Sequence, residues 1–195
     1  MGRAGRTAPL SGTEHAVSHL LDMAAGKDHG LHGSQVGVAS IVAACLWEIA
    51  LERLDPERVA GIPDDAALAG SLADALDRLD SETVDECWSD YRVKPALWRA
   101  SPPDPANLAS MAGATSQWLG APADVAAVLA TAGAPTRFSQ LDPPVDAETA
   151  KWAVANAHLL RGRFTILDLV VFTGGNVSQM VDDAFDLAAE VGGGL

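Results

Sequence analysis

The chain has 195 residues, of which 48% are hydrophobic and 20% charged, and it carries a formal net charge of −13. That length and apolar share suffice for a buried core and exclude a disordered chain. The acidity repels phosphate backbones and anionic lipid, so neither nucleic acid nor a membrane surface is an expected partner.

The acidic residues are dispersed, as on a solvated face, rather than gathered in a tail. Cys45 and Cys87 are the only cysteines and show no CxxC spacing; they read as small buried thiols in a reducing, cytoplasmic setting. Two arginines precede Pro9, but no signal-peptide core follows, and no unbroken apolar run is expected to span a bilayer.

In chain order, residues 1–10 form an irregular lead-in and residues 11–195 a helical domain. Ser11 or Thr13 is the expected cap of a first helix with Glu14 in its first turn, Val17, Leu20, Leu21 and Ala24 on its apolar side and Gly26 as its stop. From Ser34 to Leu54 the chain is apolar on most sides, which predicts a central helix buried nearly all round, ended by Asp55-Pro56.

Leu68, Leu72, Leu76 and Leu79 lie at helical intervals after Pro63. Ser81 is the expected cap of the next helix, which turns Val84, Trp88 and Tyr91 inward until Pro95 interrupts it. Beyond Pro102-Pro103, Leu108, Met111 and Trp118 continue the helical period to Gly120, and short helices are predicted over 122–132 and 146–160. Thr165 to Phe172 is apolar and β-branched, ambiguous between helix and strand, and Asn176 caps a last amphipathic helix through Ala189. The sum is an all-α, multi-helix bundle with no internal repeat.

Four of the five histidines fall between Ser11 and Gly37. His15 and His19 are four apart and leave one helix face, while His32 stands at the entry of the apolar run. Such an arrangement can converge neutral imidazoles, the commonest protein ligands of zinc and related ions. A His-Glu-x-x-His metalloprotease helix is excluded, because Glu14 precedes His15 instead of following it. His29 reads as a loop residue and His158 as a favourable charge near a helix C-terminus.

The wording Ser11-Gly-Thr-Glu-His15-Ala-Val-Ser-His19, followed by Leu31-His32-Gly33, resembles the C-terminal helical domain of the family joining glycerol dehydrogenases, 3-dehydroquinate synthases and sn-glycerol-1-phosphate dehydrogenases. The segments from Cys87 to Trp98 and from Arg161 to Leu169 are most similar to the glycerol-1-phosphate dehydrogenase branch. The resemblance implies an oxidoreductase of phospholipid biosynthesis, transferring hydride between NAD(P)H and dihydroxyacetone phosphate or sn-glycerol 1-phosphate at Zn2+ or Ni2+. It implies His15 and His32 as metal ligands and His19 as a catalytic histidine over the substrate. Arg161, Arg163 and Lys94 are candidate phosphate contacts, weighed against ordinary ion pairs.

The resemblance also has gaps. No GxGxxG turn or βαβ pattern occurs, so NAD(P) is expected to be held mainly by a nucleotide-binding domain outside this chain, supplied in cis or in trans. The family's third ligand, an aspartate, is expected upstream of Met1. Ser34 stands where relatives carry glutamate, and Ala39 where they often carry glycine.

The expectation is therefore a truncated dehydrogenase, inactive alone and self-associating as a homo-oligomer through an apolar face exposed along the first helix and the His29 loop. The alternatives are half of a split enzyme, a 3-dehydroquinate synthase-like lyase domain, and a non-catalytic helical interaction module with vestigial histidines.

Overall fold

A computed structural model describes the chain apart from residues 1–11, 27–29, 56, 58–60 and 117–119. The lead-in, the Ser11 cap, His29, Pro56 and Trp118 therefore lie outside the described residues. Helices make up the fold: α1 (Thr13–Ala25), α2 (His32–Arg53), α3 (Asp65–Ala75), α4 (Ser81–Tyr91), α5 (Val93–Ala100), α6 (Pro105–Ser116), α7 (Pro122–Thr131), α8 (Ala147–Asn156), α9 (Ile166–Phe172) and α10 (Val177–Glu190). Short 3-10 turns occur at Phe138–Gln140 and Ala157–Leu159, and one isolated bridge pairs Arg137 with Gly194. Among the described residues no strand forms, and the fold is all-α.

α2 is the axis of the bundle. It opens at His32, two residues before the predicted run, and packs against α1, α7 and α10. Val38, Ile41, Val42, Cys45 and Leu46 are fully enclosed, which requires apolar residues on several sides of one helix. Burying each large aliphatic side chain contributes roughly 1.5–3 kcal/mol. By length and composition alone α2 is also apolar enough to cross a bilayer, contrary to expectation. Its position among three other helices accounts for that apolarity.

Helix boundaries differ in places from the sequence expectation. Asp80, not Ser81, caps α4, its carboxylate accepting from Thr83 N at 3.0 Å. Pro95 does not interrupt a helix; it lies in the first turn of α5, where its missing N–H has no intrahelical partner to lose. Thr165 to Phe172 resolves as α9, because Thr165 and Asp168 form a reciprocal capping box.

Side-chain positions shift too. Ala24, expected on the apolar side of α1, is exposed, as is Met111, and the buried face of α8 is Ala150, Ala153 and Val154. Cys45 and Cys87 are free and buried, with the Cys45 thiol pushed by burial up to about 12.

The C-terminus closes the bundle. Gly194 N donates to Thr136 O at 3.0 Å and Phe138 N to Gly194 O at 2.8 Å, placing fully buried Phe138 against Phe185 of α10. A Cβ on Gly193 would meet Ile41 Cδ1 at 2.8 Å, so the chain passes over α2 at a distance that only glycine allows.

Candidate metal and substrate site

The site begins at the N-terminus of α1. Gly12 occupies the cap position without a side-chain cap, and Glu14 reaches back so that Oε1 accepts from Gly12 N at 2.9 Å. The same oxygen accepts from His15 Nδ1 at 3.0 Å. Burial raises the Glu14 pKa, but the hydrogen bonds from His15 and Gly12 outweigh it and hold the carboxyl below its ordinary value. An acceptor-only carboxylate at Nδ1 puts the ring proton there, and Nε2 of His15 keeps its lone pair.

One turn along α1, His19 leaves the same face. His32, the first residue of α2, lies between the two: ring centroids are 5.4 Å apart for His15 and His32 and 5.5 Å for His19 and His32. Two imidazoles ligating one tetrahedral ion at about 2.0–2.1 Å set their centroids roughly 5 Å apart, so both spacings suit a shared ion, and what sets His15 apart from His19 is the Glu14 carboxylate on its Nδ1. Burial, followed by the nearby Arg161 and His32, holds His19 below its ordinary pKa. Among the described residues no group of three or more His, Cys, Asp or Glu is placed to hold a metal ion. Among the described residues, His15 and His32 stand close enough for their imidazoles to share a divalent ion.

Beside the histidines is a cleft of about 400 Å³ lined by His19, Trp47, His158, Arg161, Arg163 and the N-terminal turn of α1, among others. The two guanidiniums and a helix start give it a positive wall suited to an anion, with the Glu14 carboxylate also on the lining. Arg161 has a loose, half-exposed ion pair to Asp90 at 3.7 Å. A larger cleft, about 700 Å³, opens between α1 and α8, but its Arg78 is already taken up by Glu148 and Thr149.

Two expected roles are corrected. Lys94 does not face the cleft: it is wholly buried, with Nζ 2.9 and 3.0 Å from the Asp168 oxygens and donating also to His158 O at 2.5 Å. Burial pushes Lys94 down and Asp168 up, each partly offset by the other's charge. Nor is His158 a helix-end charge. Its ring is enclosed, Nδ1 donates to Ala155 O at 3.0 Å, and burial, then Lys94, pull its pKa down to about 3.

The sequence reading missed three polar residues behind His32. Ser18 Oγ lies 2.8 Å from His32 Nδ1 and donates to Gln35 Oε1 at 2.5 Å, and Gln35 Nε2 donates to Asp22 Oδ1 at 3.0 Å. Their signal was a serine four before an aspartate on an otherwise apolar helix side, with a glutamine in the first turn of α2. Ser34 is not the partner of His32, since Ser18 supplies that contact. Ala39 is buried and serves packing.

No family profile matches the chain, and no solved structure matches it at a significant level. Curated relatives do match. A protein of Haloquadratum walsbyi is 56% identical over 46 residues, covering 24% of this chain and 13% of its own. One of Halorubrum lacusprofundi is 40% identical over 97 residues, covering 43% and 27%, and one of Pyrococcus horikoshii 40% over 67 residues, covering 34% and 19%. All three are named glycerol-1-phosphate dehydrogenase [NAD(P)+], as are the five further relatives that match.

Over the stretches that match, the chain is similar to the glycerol-1-phosphate dehydrogenase family. It spans well under a third of the length of the family members just described, and its helical fold fits the C-terminal domain of that family.

Proposed function

We propose that this chain is the metal- and substrate-binding helical part of an NAD(P)-dependent sn-glycerol-1-phosphate dehydrogenase, working with a nucleotide-binding domain in cis or in trans. The observation that carries the reading is the pair His15 and His32, with centroids 5.4 Å apart and a hydrogen-bonded Nδ1 on each ring. His15 and His32 would hold Zn2+ or Ni2+ through Nε2, with further ligands from outside the described residues. A divalent ion so held would polarise the substrate's reacting oxygen and favour hydride transfer.

The chain's own residues divide the remaining work. Arg161 and Arg163 seat the phosphate of the small phosphorylated substrate in the cleft. His19, held below its ordinary pKa and lining the same cleft, is neutral near pH 7 and placed to accept or relay a proton. Glu14 fixes the His15 ring from behind, as a carboxylate does for a metal-ligating histidine. Exposed Met23 and Leu31 flank the histidines and offer an apolar rim to the partner domain or to a second copy of the chain.

Calorimetric titration of the chain with Zn2+ tests the metal assignment. One ion per chain is expected, with binding lost in His15→Ala and His32→Ala and kept in His19→Ala. Binding indifferent to both ligand variants leaves a helical module with vestigial histidines.

A further inference from the structure

The contacts behind His32 form a directed chain of donors. Asp22 presents an acceptor-only carboxylate, so the group that Gln35 turns toward it at 3.0 Å is its NH2. That choice leaves the Gln35 carbonyl facing Ser18, whose single hydroxyl proton goes to it at 2.5 Å. Ser18 Oγ then has only lone pairs left for the His32 ring nitrogen at 2.8 Å, and that nitrogen, Nδ1, must carry the proton. Ser18 and Gln35 are buried, with 0% and 3% exposure, so water does not compete for the bond between them, while Asp22 is half-buried and His32 reaches solvent.

We infer that Asp22, Gln35 and Ser18 are positioning residues, a relay that locks His32 in its Nδ1–H tautomer and presents Nε2 as an electron-pair donor. The inference rests on the metal reading above for its purpose, but not for its geometry. A free neutral imidazole prefers the opposite tautomer, with the proton on Nε2, which cannot bind a cation through that atom. The relay reverses this preference before any ion arrives. Two buried polar groups, Ser18 of α1 and Gln35 in the first turn of α2, otherwise costly in this core, gain a role in ligand preorganisation.

The relay makes its sharpest demand on Asp22, which is linked to the ring it governs through Gln35 and Ser18. In Asp22→Asn the amide at position 22 lets Gln35 turn over, Ser18 then accepts from Gln35, and its proton points at His32 Nδ1. Nitrogen-15 NMR of the His32 ring in the metal-free chain, at about pH 8 and so above the ordinary histidine pKa of about 6.5, reads the tautomer directly.

The wild type is expected to be Nδ1–H, with Ser18→Ala and Asp22→Asn moving toward Nε2–H and Ser18→Thr keeping the native form. Zn2+ affinity should fall about 10- to 100-fold in the first two variants and stay near native in the third. Circular dichroism confirms folding of each variant.

An Nε2–H ring in the wild type overturns the relay, as does a tautomer unmoved in Asp22→Asn. A locked and movable tautomer in a chain that binds no Zn2+ upholds the relay and removes the metal reading. Zn2+ held by His15 and His32 with an unlocked tautomer does the reverse.

Discussion

Lys94 of α5 and Asp168 of α9 meet inside the protein, Nζ lying 2.9 and 3.0 Å from the two carboxylate oxygens, and neither side chain reaches solvent. The same carboxylate accepts from Thr165 N and Oγ1 at 2.7 and 3.0 Å, and Lys94 donates to the carbonyl of His158. One ion pair thus ties α5, the start of α9 and the turn after α8, the segments that bracket Arg161 and Arg163. Removing one member of a buried pair costs about 3–5 kcal/mol, because the other is left without a partner in low dielectric. Lys94→Met is expected to lower unfolding stability by about that amount in urea titration. A loss under about 1 kcal/mol would show that the pair is not what holds these segments together.

Burial and the Lys94 charge keep the His158 ring neutral down to about 3, below the ordinary value of 6.5 for the unfolded chain. The unfolded state therefore takes up this proton first as pH falls. The contribution of His158 is fully present above about pH 6.5 and is lost toward pH 3, at up to about 1.4 kcal/mol per pH unit. In His158→Asn, which keeps a donor near Ala155 O, urea midpoints measured from about pH 7 to pH 4 should fall less steeply than in the wild type. Equal slopes would mean that the ring is accessible to protons in the native state.

What the sequence made legible follows from periodicity and local chemistry. The α1 face carrying His15 and His19, the opening of α2 at His32 and the Asn176 cap all rest on spacings within a few residues, and the structure has each. The burial of Lys94 and His158 was not legible, because it depends on partners 64 and 74 positions away. Lys94 in particular reads as a surface cation until α9 is seen to supply its carboxylate. The Asp22, Gln35 and Ser18 contacts were hidden for the same reason, since they form only when α2 folds back along α1.

The positive wall of the cleft predicts a phosphate seat. Arg161→Ala loses only a half-exposed ion pair at 3.7 Å, so thermal stability should change little. Each charge-assisted contact to an anion is worth about 1.5–3 kcal/mol, so inorganic phosphate should bind roughly 10- to 100-fold more weakly in Arg161→Ala and in Arg163→Ala. His19→Ala should weaken phosphate less than either. Phosphate affinity unchanged in both arginine variants, measured by isothermal calorimetry, would move the anion elsewhere.

Gly162 sits between those arginines, and the space around it dictates the turn. A Cβ at this position would lie 2.8 Å from the backbone carbonyl of Asp90 and 3.0 Å from Val93 Cγ2. A flexible side chain could give way, but a carbonyl at the end of α4 cannot move without the helix. In Gly162→Ala the turn must lift off α4 and take both guanidiniums with it. Overpacking of this kind costs typically about 1–3 kcal/mol. The variant should therefore lose stability in thermal melts and lose phosphate affinity together, although it removes no charge. Arg161→Ala separates the two effects, since it is expected to weaken phosphate at nearly native stability. A Gly162→Ala chain with native phosphate affinity would show that the turn is not what aims the arginines into the cleft.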